Sequence, residues 1–107
     1  MKYSIFINPK SENSLAVYHA LNFVKAVLNK NHEIMSVFFY GYAVKDVFFN
    51  NSQWNIIANK NVTLNACSTI AESFIAQDLT PVPYIKLTGL GQWMESVLET
   101  DKNIEFV

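Results

Sequence analysis

The 107-residue chain contains no arginine, one cysteine, three glycines and three prolines, and no apolar run of membrane-spanning length. Each shortage removes a class of function. Eight lysines against nine acidic residues give a net charge of −1 and no basic cluster. Tracking a phosphate backbone needs clustered positive charge, so direct nucleic-acid binding is not expected and any RNA has to be held by a partner. A lone cysteine cannot close an internal disulfide, which fits a reducing compartment. With neither a cationic leader before an apolar segment nor a membrane span, the expected location is the cytoplasm. His19 and His32 have no companions at ligand spacing, so a metal site is not expected.

What the chain does have is apolar surface. Half of its residues are hydrophobic and 14% are aromatic, a heavy load for one small domain covering residues 1–107. Part of that surface is expected to meet another subunit. Phe38, Phe39, Phe48, Phe49, Trp54 and Trp93 read as core or interface aromatics. Trp54, beside the polar run Asn50-Asn51-Ser52, is expected to contact a partner.

The periodicities alternate between strand and helix. Tyr3–Ile7 predicts a strand closed by Asn8-Pro9, and Asn13-Ser14 offer caps to a helix whose apolar face carries Val17, Ala20, Leu21, Val24, Val27 and Leu28. Asn29-Lys30-Asn31 stops that helix, and the nearly continuous apolar run within Glu33–Tyr40 suits a strand covered on both faces. Ala43–Phe49 predicts one or two helical turns and Trp54–Ala58 a short helix. Further strands are predicted over Val62–Ala66, Tyr84–Leu87 and Ile104–Val107, with helices over Thr69–Ala76 and Gln92–Glu99. The implied architecture is a three-layer α/β/α domain on a mainly parallel five-stranded sheet.

Cys67 stands where the third predicted strand gives way to a helix. A cysteine in an apolar chain is commonly an inert core residue. In open parallel sheets, however, ligands gather beyond the carboxyl ends of the strands, and this cysteine is predicted there, facing solvent. Thr69-Ile70-Ala71-Glu72 matches a capping box, which sets a helix start just after it. The free N–H groups and positive dipole of such a start favour a thiolate or persulfide anion. Cys67 is therefore the candidate catalytic residue, as a temporary carrier of sulfane sulfur; sulfur transfer through a cysteine would need no cofactor. Gly89-Leu90-Gly91 also opens a helix after a strand, but without the third glycine or the lysine of phosphate-binding loops. A tight turn needing no side chain is the simpler account, and a nucleotide-binding module the alternative.

Three segments together resemble the TusD branch of the DsrE/DsrF-like sulfur-relay family: His32-Glu33-Ile34-Met35-Ser36-Val37-Phe38-Phe39-Tyr40, Leu64-Asn65-Ala66-Cys67 and Leu87-Thr88-Gly89-Leu90-Gly91. Their order and approximate spacing agree over most of the chain. The resemblance implies a sulfurtransferase subunit in which Cys67 accepts sulfane sulfur from a TusA-like donor. It passes that sulfur to a TusE-like acceptor for 2-thiouridine formation in tRNA. TusB-like and TusC-like subunits would complete a hetero-oligomer. Other readings are a non-catalytic structural subunit of such a complex and a DsrE-type carrier in dissimilatory sulfur oxidation. The chain is shorter than the branch leads one to expect, between Tyr40 and Val62 and between Cys67 and Leu87, and it lacks arginines after Cys67.

Overall fold

A computed structural model describes residues 1–107. Five parallel strands, β1 (Lys2–Ile7), β2 (Glu33–Phe39), β3 (Thr63–Cys67), β4 (Lys86–Thr88) and β5 (Lys102–Phe106), form one sheet in the order β4-β3-β2-β1-β5. They alternate with helices α1 (Ala16–Asn29), α2 (Ser52–Ala58), α3 (Ser68–Ile75) and α4 (Leu90–Leu98), and a 3₁₀ segment over Gly41–Phe48 precedes α2. The α/β class and the parallel sheet expected from periodicity are both present.

The strand order decides where the helices lie. Crossovers between parallel strands are right-handed. The steps β1 to β2, β2 to β3 and β3 to β4 all move the same way across the sheet, so α1, α2 and α3 cover one face. The last step returns from β4 at one edge to β5 at the other, which throws α4 onto the opposite face. Side-chain contacts agree. Tyr3 and Phe106 flank Phe23 of α1, while Phe6, one residue along β1 from Ile5 and Ile7, meets Trp93 of α4 at 4.6 Å.

The two layers are held differently. On the α1 side Ile5, Ile7, Val37, Phe39, Leu64 and Ala66 are buried against Ala20, Leu21, Val24 and Val27. On the α4 side the sheet presents Ser4, Ser36 and Asn65, and α4 has no fully buried residue. There the Ser36 hydroxyl lies 2.7 Å from that of Ser96, and the Ser4 hydroxyl donates to Asn103 Oδ1 at 3.0 Å. Leu90, Met94 and Leu98 of α4 remain exposed.

Scarce glycine is spent where geometry demands it. Gly41 turns the chain from β2 into the 3₁₀ segment at φ +58°, and a Cβ there would stand 2.8 Å from Asn8 Oδ1. Elsewhere Asn31, Asn61 and Asp78 take the left-handed conformation that follows α1, α2 and α3. After α1 the amides of Asn31 and His32 donate to Leu28 and Val27, satisfying carbonyls that the helix end leaves free. Asn and Asp tolerate this conformation better than other side chains.

Several expectations shift. The predicted one or two turns at Ala43–Phe49 are a tighter 3₁₀ segment beginning at Gly41, with Phe49 outside it and exposed. β4 begins at Lys86 rather than Tyr84, because the Tyr84 hydroxyl accepts from Asn51 N at 2.7 Å and ties that residue to the start of α2, not to the ladder. Trp54 is not a surface contact. Asn51 caps α2 through its Oδ1, which turns Trp54 inward to 2% exposure, edge-on to Phe39 with centroids 5.2 Å apart. Trp54→Ala is expected to cost about 3–5 kcal/mol of stability, read by denaturant unfolding; a near-neutral result would return Trp54 to the surface role.

Candidate functional site

β3 delivers Cys67 to the carboxyl edge of the sheet, and the chain enters α3 at the next residue. Cys67 is therefore both the last residue of the strand and the N-cap of the helix, with φ −65° and ψ 116°. Leu64 and Ala66 point to the α1 face; Asn65 and Cys67 alternate onto the α4 face. Across the ladder Cys67 is level with Thr88, and Asn65 with Lys86.

This is the topological switch point of the sheet. β3 sends its following helix to one face and β4, its neighbour, sends α4 to the other. Adjacent strands whose chains part in opposite directions leave a crevice at their carboxyl ends, where open α/β sheets bind ligands. Cys67 and Thr88 end these two strands level with each other, at the point where the chains part.

The polar groups next to Cys67 in the chain are those of the backbone. No side chain caps α3, so the first-turn N–H groups stand unclaimed beside the sulfur. The predicted capping box does not form, because the helix begins at Ser68 and Thr69 is already inside it. Lys86, distant in sequence, is brought onto the same face about 7 Å further down the ladder, two residues behind Thr88.

Cys67 does not face solvent in the single chain: it is 6% exposed. The cause is the missing loop. With no residue between strand and helix, the side chain stays in the packed end of the ladder. Nor does it line any of five surface cavities of about 180–440 Å³. One of these, about 330 Å³, lies between the β1–α1 loop, the 3₁₀ segment and the start of α2, with Asp46 in its wall. Burial pushes the Asp46 carboxyl above its ordinary range, opposed in part by Lys45.

The remaining candidates separate from the site. His19 is exposed on α1, and His32 lies at the amino edge of the sheet, edge-on to Tyr3 at 6.0 Å. Gly89 is the N-cap of α4 at φ −92°, and a Cβ on Gly89 or Gly91 would meet nothing within 4 Å. The expected tight turn that only glycine could make is thus absent, and none of these five cavities is lined by residues 89–91. Thr88, given no role of its own in the sequence analysis, proves to be the lateral neighbour of Cys67.

Two outcomes follow. Gly91→Ala is expected to stabilise the chain by about 0.5–1 kcal/mol, since the site has room and the unfolded chain loses freedom; destabilisation in a thermal melt would show that the glycine is needed. A carboxyl raised above its unfolded value opposes folding once it ionises, and this cost disappears as pH falls below the ordinary carboxylate range. Asp46→Asn is therefore expected to stabilise at neutral pH, with the gain fading in acid, as measured by urea unfolding in both buffers; a pH-independent difference would contradict it.

Comparison with known proteins places this geometry. Sulfurtransferase TusD of Salmonella arizonae is 27% identical over 128 aligned positions, covering 99% of this chain and 100% of the relative. The DsrE protein of Allochromatium vinosum is 28% identical over 133 positions, covering 99% and 98%. Both alignments are longer than the 107-residue chain, in keeping with its trimmed connections. Among solved structures, the ychN protein from E. coli superposes with TM-score 0.82 at 17% identity over 99% of both chains. A protein of unknown function from Methanobacterium thermoautotrophicum does so with TM-score 0.74 at 14% identity over 97% of each. These two likenesses speak to the fold. The sequence model of the DsrE/DsrF-like family matches residues 1–106, and the chain belongs to that family.

Proposed function

We propose that this protein is a sulfurtransferase that carries sulfane sulfur as a persulfide on Cys67. The observation that carries the reading is the placement of the chain's one thiol at the sheet's switch point, against the uncapped start of α3. Whole-length similarity to a TusD sulfurtransferase supports it.

The chemistry asks little of the protein. The Cys67 thiolate attacks the outer sulfur of a donor persulfide, a new S–S bond forms on Cys67, and the donor's inner sulfur leaves as thiolate. An acceptor thiolate repeats the attack on the outer sulfur and frees the Cys67 thiolate. Both steps are thiol exchange, governed by thiolate fraction, leaving group and access, and neither needs a general base, metal or cofactor. Within this reading the donor is TusA-like, the acceptor TusE-like, and the end point 2-thiouridine in tRNA, in the cytoplasm. A DsrE-type role in sulfur oxidation uses the same steps with other carriers. No helix is long and apolar enough to cross a membrane. The exposed Leu90, Met94 and Leu98 on the thinly covered face support assembly with TusB-like and TusC-like subunits.

The 6% exposure of Cys67 favours a second reading, that of a structural subunit whose partner carries the sulfur. Incubation with a small persulfide donor, followed by intact mass, separates the two. The carrier gains one sulfur, and Cys67→Ser gains none while unfolding within about 1 kcal/mol of wild type. A chain that takes up no sulfur, and whose thiol is alkylated only after denaturation, is the structural subunit. Retention of sulfur by Cys67→Ser would overturn the assignment of the residue.

A further inference from the structure

We propose that the Thr88 hydroxyl donates the hydrogen bond that holds the outer sulfur of a Cys67 persulfide. This rests on the carrier reading above and adds a second residue to that site. Thr88 ends β4 level with Cys67 at the end of β3, so the two side chains project from the same face of adjacent parallel strands. Thr88 as a whole keeps part of its surface in solvent, yet its Oγ1 is shielded and has no hydrogen-bond partner, Cys67 Sγ included. The hydroxyl is thus turned inward with nothing to accept from it, an unfavourable arrangement that a ligand would relieve.

Only Trp54 Nε1 and Trp93 Nε1 share that condition among the buried side chains. Those two belong to large rings packed on Phe39 and Phe6, where apolar contact accounts for the placement. Thr88 has no such ring. Neighbouring strands lie about 4.8 Å apart, and a second sulfur extends Cys67 by about 2 Å. The added atom therefore has the reach to bring an acceptor to Oγ1. The hydroxyl donates and the anionic sulfur accepts; no bond breaks, and the proton stays on oxygen. The unloaded thiol is too short to engage the group, so the contact selects the loaded state and slows loss of sulfur to stray thiols.

The test loads the full chain with sodium polysulfide, removes the excess, and follows retention of the extra sulfur by intact mass in dilute glutathione. Wild type and Thr88→Ser are expected to retain it alike. Thr88→Val is expected to lose it about tenfold faster, the effect of one hydrogen bond to a charged group. Thermal unfolding of unloaded Thr88→Val should not fall below wild type, because a methyl replaces a stranded hydroxyl. If Thr88→Val is too unstable to assay, Thr88→Ala takes its place and is read the same way. Equal retention in all variants, or a serine variant that behaves like valine, overturns the proposal while leaving the carrier reading intact. Wild type that takes up no sulfur overturns both.

Discussion

The handedness of the crossovers is the constraint on which the rest depends. Parallel strands can be joined only by long connections, and those connections turn one way. Three successive steps in one direction place α1, α2 and α3 together, and a single return from β4 to β5 places α4 alone. The same return parts the chain on either side of the β3–β4 boundary, and so sets the one thiol where the connections diverge. Fold and candidate site thus follow from a single topological fact.

That fact also divides the sheet's faces by chemistry. The face under three helices is hydrocarbon, from Ile5 and Ile7 through Val37 and Phe39 to Leu64. The other face, under one helix, alternates small polar groups with aromatic ones: Ser4 with Phe6, Ser36 with Phe38 and Tyr40. Phe6 stacks on Phe38 at 5.8 Å and packs on Trp93, while the serines bond across to Ser96, Thr100 and Asn103. Hydrogen bonds and aromatic faces hold α4 where it lacks deep apolar burial.

Much of the fold was legible because its signals are local. Apolar spacing marked α1, the run from Ile34 to Phe39 marked a strand covered on both faces, and Asn31 marked a helix end. Cys67 was legible by type and by position at a strand's end. Its burial was not, because a missing loop residue cannot be told from a one-residue uncertainty in where the helix begins. Trp54 misled for a similar reason. Its polar neighbours are a cap, and the cap's geometry sends the indole inward. Thr88 gave no signal at all, since its meaning lies in register with a residue 21 positions earlier, and register between β3 and β4 is not written in either segment alone.

β4 has only three residues, forms the edge of the sheet and pairs with β3 alone. Any reagent that is to reach the sulfur needs something beside it to yield, and a short edge strand with one partner is held by few hydrogen bonds. A three-residue ladder leaves few hydrogen bonds between the buried thiol and the sheet's margin.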